Sequence, residues 1–110
     1  MAGTIKLLYG PAALSSTLTT NIYVPTSALI YDVVRHVHIA NKTGTAATFT
    51  IYLGATGANA AGTEIFGFAR SIAANSAFDW YGALKLTSTT FLVGGSGTAT
   101  ALTITIMGES

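Results

Sequence analysis

His36 and His38 are the chain's only histidines, and they stand two apart in the run Val33-Val34-Arg35-His36-Val37-His38-Ile39-Ala40. On a strand, residues two apart share a face, so both imidazoles would point the same way and could share one metal ion. A zinc-type site needs at least a third protein ligand. The chain has no cysteine, no third ligand stands at a recognisable spacing, and Asp32 or Asp79 would have to be delivered by the fold. The sequence therefore predicts no metal site and no cofactor, and reads the two imidazoles as half-buried hydrogen-bonding groups.

Other chemistry is thinner still. Asp32, Glu64 and Asp79 are the internal acids, and none lies in a motif that would pair carboxylates for acid–base work. Gly94-Gly95-Ser96-Gly97 lacks the Gly-x-Ser-x-Gly spacing of a nucleophile elbow, and Gly54-Ala55-Thr56-Gly57 lacks the lysine of a phosphate loop; both glycine clusters read as turns. No catalytic residue is expected, and the chain is not read as an enzyme. Asn41-Lys42-Thr43 matches a glycosylation triplet, but the start of the chain carries no secretory signal pattern to support it. Tyr9, Tyr23, Tyr31, Tyr52, Trp80 and Tyr81 could form a sugar-stacking shelf, although the preference of aromatics for strands favours packing.

The elements that position these residues follow from composition and period. At 110 residues one domain is expected. Charged residues are 8% of the chain, against about 25% in ordinary soluble domains, and hydrophobic residues are 50%, which excludes disorder. Lys6, Arg35, Lys42, Arg70 and Lys85 are scattered and the formal net charge is +1, a poor match for a polyphosphate backbone, so no direct nucleic-acid binding is expected. Mean hydropathy is +0.55, yet no apolar run approaches the ~20 residues of a spanning helix, so no membrane partner is expected.

Twelve glycines, with many Ser, Thr and Asn, cut the chain into short runs of period two. Ala47, Phe49, Ile51 and Leu53 fall on one face, with Thr48, Thr50 and Tyr52 on the wet one. Leu102, Ile104 and Ile106 alternate with threonines, and Phe78, Trp80, Leu84 and Leu86 alternate with Asp79, Tyr81, Ala83 and Lys85 about a bulge at Gly82. Eight strands are predicted, over 4–9, 18–24, 29–40, 47–53, 63–69, 77–86, 90–93 and 101–107, and no helix. The loops 41–45 and 54–62 read as hairpins, so sequential strands are expected to pair antiparallel. The fold class predicted is all-β, an antiparallel two-sheet β-sandwich, jelly-roll-like, with a closed barrel as the alternative. The run 29–40 is apolar on both faces, which predicts a central strand or a contact with another subunit; a bulge near Asp32 would shift its phase. Tyr31 and Arg35 lie on the face it would offer.

Asn21-Ile22-Tyr23-Val24-Pro25, Val33 to Asn41, Ala46 to Tyr52 and Ser71-Ile72-Ala73-Ala74-Asn75 together resemble small β-sandwich structural proteins of tailed bacteriophages over roughly residues 17–108. The resemblance implies a non-enzymatic virion protein, most often a capsid decoration (cement) protein on the capsid exterior that bridges major capsid subunits as a homotrimer. Tail, neck or baseplate components, and a carbohydrate-binding receptor-recognition module, are the alternatives. The low-charge surface, rich in Thr, Ala and Gly, agrees with repeated close contacts between copies. Gly10-Pro11 and the spacer after it suggest an N-terminal strand or arm over 1–16 ahead of a sandwich over 17–110. Ile5, Leu7, Leu8 and Tyr9 are candidate contacts to a neighbour, and an ordinary edge strand is the other reading.

Overall fold

A computed structural model describes residues 5–25, 31–57, 62–98 and 100–109. Eight strands run β1 (Ile5–Ala13), β2 (Asn21–Tyr23), β3 (Asp32–Asn41), β4 (Ala47–Gly54), β5 (Arg70–Ile72), β6 (Ser76–Leu86), β7 (Phe91–Ser96) and β8 (Leu102–Glu109). They form two four-stranded sheets ordered β1-β8-β3-β6 and β2-β7-β4-β5. Every ladder is antiparallel, with β1 on β8, β2 on β7, β3 on β6 and β4 on β5. First pairs with last, second with second-to-last, and so inward: one long hairpin rolled over itself, which is the jelly roll.

That topology corrects the expectation that sequential strands pair. Among the described residues only β4 and β5 are both consecutive and hydrogen-bonded, and the 41–45 loop carries the chain from one sheet to the other. Turn residues mark where a chain reverses but not which sheet it enters next, so this information was absent from the loops themselves. The β4–β5 connection does reverse within a sheet. The strand expected over 63–69 is instead a single bridge, Tyr52 to Glu64, flanked by bonds from Leu53 N–H to Thr63 O and from Ile65 N–H to Ile51 O. Gly67 and Ala69 then take positive φ, which breaks any strand, and the regular element begins at Arg70.

Between the sheets lie Val34, Val37 and Ile39 of β3, Leu102, Ile104 and Ile106 of β8, Phe49 and Ile51 of β4, Leu92 of β7 and Leu86 of β6, all fully buried. Each such side chain contributes roughly 1.5–3 kcal/mol on leaving water, and no disulfide assists. On β3 the register slips between Val34 and His36 against both neighbours. The phase shift expected near Asp32 therefore sits at Arg35, and it puts Val34 on the same side as Val37 and Ile39. β3 is a central strand, flanked by β8 and β6.

β1 is the edge of its sheet and pairs with β8 from Ile5 to Ala13, with register irregularities around Leu8 and Gly10-Pro11. In this chain the segment closes its own sandwich, the second of the two readings above; residues 1–4 lie outside the described residues. Gly94-Gly95-Ser96 is not a turn, as the sequence suggested, but the buried end of β7. A Cβ on Gly94 would overlap Thr50 O and one on Gly95 would overlap Ser15 O, so these glycines admit close backbone approach from two sides.

Candidate functional site

Ladder registers place the outward side chains of the β1-β8-β3-β6 sheet in rows. One row crosses all four strands: Leu7 opposite Met107, Met107 opposite His36, and His36 opposite Tyr81. Leu7 is 51% exposed, Met107 38% and Tyr81 71%. The next row sets Thr105 beside His38 and His38 opposite Asp79. A third runs Ala13, Thr103, Ala40, Ala77, with small side chains only.

At the centre of this face the fold delivers what the sequence spacing lacked. Asp79 Oδ1 lies 2.7 Å from His36 Nε2 and 2.7 Å from His38 Nδ1. The carboxylate can only accept, so each of these nitrogens presents a hydrogen to it. The hydrogen bond from His38 foremost, then that from His36, holds the Asp79 carboxyl below its ordinary range. The His36 ring stacks flat on Tyr81, centroids 4.4 Å apart and planes 4° from parallel. His36, His38 and Asp79 form a group whose ligand atoms all lie within 4.8 Å of one another. The expectation of no metal site rested on the missing third ligand, and the cross-strand register of β6 on β3 supplies one.

Asp32, the other acid considered, is elsewhere. It is buried at the start of β3 and accepts a hydrogen bond from Tyr23 Oη on β2, tying one sheet to the other. Burial first, then that hydrogen bond and the Asp32 charge, push the Tyr23 phenol well above its ordinary range. Tyr9 lies against Tyr23, centroids 6.0 Å apart.

The six aromatics proposed as a shelf are dispersed. Tyr52 is buried, and Trp80 turns inward onto Phe66 at 5.4 Å. Tyr31 and Tyr81 are exposed, with Lys85 Nζ 4.7 Å above the Tyr31 ring. Of the candidate contact residues, Leu7 faces outward, whereas Leu8 and Tyr9 are half-buried against the core. Arg35 is exposed and pairs with Glu109 at 2.6 Å. Ile5 is paired with Glu109 in the β1–β8 ladder.

Two motifs are closed off structurally. Asn41 is 1% exposed; its side-chain amide donates to Thr45 O, Ile72 O and Ala73 O, while its oxygen accepts from Thr43 N–H and Thr43 Oγ1. The triplet's asparagine is a buried staple at the β3–β4 crossover, not a glycan acceptor. Ser96 is fully buried, its hydroxyl donating to Thr48 O at 3.0 Å.

The two sheets differ on their outer sides. Thr50, Tyr52, Phe91 and Val93 alternate with the core residues Ile51 and Leu92, and all four are buried. This overturns the expected wet face for Thr50 and Tyr52; Ala69 N–H donates to Thr50 Oγ1 at 2.9 Å. The outer side of the β1-β8-β3-β6 sheet thus carries three of the exposed large hydrophobics in a single row, while the corresponding side of β4 and β7 is covered. No protein-family model, curated protein or solved structure matches the chain.

Proposed function

We propose that the protein is a non-enzymatic assembly protein, a virion structural component of a tailed bacteriophage of the capsid decoration type, which docks through the outer face of the β1-β8-β3-β6 sheet. The observation that carries the reading is the Leu7–Met107–His36–Tyr81 row, continuous across four strands and exposed at Leu7, Met107 and Tyr81. A monomer in water gains nothing by lining up its exposed apolar side chains. A subunit that meets another copy or the major capsid protein gains the burial of that row. The jelly roll suits this work because its ladders hold the face rigid, so little conformational entropy is lost on docking. The sequence resemblance supplies the virion context, and the scarcity of charge suits repeated contacts between copies that sum through avidity.

A homotrimer is the proposed state, with the major capsid protein as the further partner and the capsid exterior as the location. β1 supplies a second contact element, since among the described residues its edge away from β8 has no strand partner within the sheet. Gold-labelled antibody against the purified chain, applied to particles from the host that encodes it, tests the reading. Labelling is expected on head faces. Labelling confined to tails moves the assignment to a tail, neck or baseplate component, and particles without label overturn the virion reading.

A further inference from the structure

The two histidines and the acid at the centre of this face have a geometry that hydrogen bonding alone does not require. Three potential ligands come from two adjacent strands of one sheet: His36 and His38 from β3 and Asp79 from β6, directly opposite His38. Their positions are fixed by ladder hydrogen bonds rather than by loops, and the His36 ring is held further by the flat stack on Tyr81. Such rigidity lowers the ordering cost of assembling a coordination sphere.

We propose that His36 Nε2, His38 Nδ1 and Asp79 Oδ1 form a binding site for a divalent transition metal of the zinc class. Two imidazoles and a carboxylate are a donor set that zinc, nickel and copper take, and that magnesium and calcium, which favour all-oxygen spheres, do not. Three donors each about 2.1 Å from one ion at tetrahedral angles stand roughly 3.4 Å from one another. Both nitrogen–oxygen separations are 2.7 Å and all the ligand atoms lie within 4.8 Å. Opening each nitrogen–oxygen pair from 2.7 Å to that spacing needs a shift of well under one bond length in the Asp79 carboxylate and small rotations of the two half-buried rings. Each neutral imidazole then carries its hydrogen on the other ring nitrogen, leaving a lone pair for the metal.

In the single chain the side chains of His36, His38 and Asp79 are 25%, 40% and 37% exposed, so before the face docks an ion can enter directly and its remaining positions are open to water. With ladder-paired residues as ligands, the ion crosslinks β3 to β6 at the middle of the sheet. The proposal goes beyond the assembly reading and does not depend on it.

The chain makes the test clean, because these are its only histidines and it has no cysteine. Calorimetric titration of tag-free, chelator-treated full-length protein with ZnCl2 is expected to show one ion per chain, unaffected by excess MgCl2. His36→Ala, His38→Ala and Asp79→Asn should each weaken binding by roughly tenfold or more. All three positions are on the exposed face, and far-UV circular dichroism with thermal melts identifies any variant that has lost its fold. Titration of the wild type with CoCl2 gives a second reading that needs no variant: visible d–d absorption and perturbed histidine ring resonances in proton NMR are expected at one equivalent. No zinc binding at millimolar concentration overturns the site, as does one-to-one binding that survives in the folded His36→Ala/His38→Ala protein.

Discussion

Tyr23→Phe removes one oxygen and leaves the ring in place, isolating the contact that ties β2 to β3 across the sandwich. The hydroxyl donates to Asp32 Oδ2, and Asp32 is 5% exposed, so water cannot freely replace the lost donor. A hydrogen bond to a charged, buried partner contributes about 1.5–3 kcal/mol. At this chain length one kcal/mol moves the melting midpoint by roughly 4 °C or somewhat more, so a fall on the order of 10 °C is expected. The alkaline limb carries a second signature. The Tyr23 phenol titrates above its ordinary value in the folded chain, chiefly through burial and then through Asp32. Its stabilising contribution is therefore complete below about pH 10, the unfolded value, and is lost as pH rises toward the folded one. Chemical denaturation of wild type and Tyr23→Phe between pH 7 and about pH 11 reads both effects. The wild type should lose part of its advantage at the alkaline end. A Tyr23→Phe midpoint within about 0.5 kcal/mol of wild type, with parallel alkaline limbs, would refute the inter-sheet clasp.

Asn41→Asp replaces a donor facing three carbonyl oxygens with an acceptor in a buried position, and a loss of about 3 kcal/mol or more is expected by urea denaturation. Gly94→Ala sets a Cβ against Thr50 O at a φ of 149°, which should cost on the order of 3 kcal/mol, read as a lowered midpoint or loss of soluble protein. Arg35→Ala breaks an exposed pair with Glu109, and its effect on stability should stay under about 1 kcal/mol and shrink further in salt.

The strand content was legible wherever one face meets water and the other the core. Phe78, Trp80, Leu84 and Leu86 turn inward, and the β3–β6 register breaks at Gly82-Ala83, as the alternation around Gly82 implied. Legibility failed where a second layer covers a strand: Thr50 and Tyr52 look like a wet face by type, yet both are buried. Pairing was illegible because a jelly roll joins strands far apart in sequence, and local turn chemistry says nothing about such partners. The candidate metal cluster illustrates the same limit. His36 and His38 announce themselves at two-residue spacing, whereas Asp79 lies forty-one residues from His38 and is placed only by the antiparallel register of β6. Ser96 and Asn41 sit in motif-like contexts, and burial alone separates them from the functions those contexts suggest.

Sedimentation equilibrium of the full chain at micromolar concentrations, wild type against Leu7→Glu/Met107→Glu, reads whether copies dock through the outer face of the β1-β8-β3-β6 sheet. Both substituted side chains lie on the exposed row and neither belongs to the core, so the fold should persist while a charged pair disrupts the apolar face. The wild type is expected at a mass near three times the 11.3 kDa chain, and the variant as a monomer with an unchanged circular dichroism spectrum. A wild type that stays monomeric, or an oligomer that the two substitutions leave intact, would contradict docking through this face.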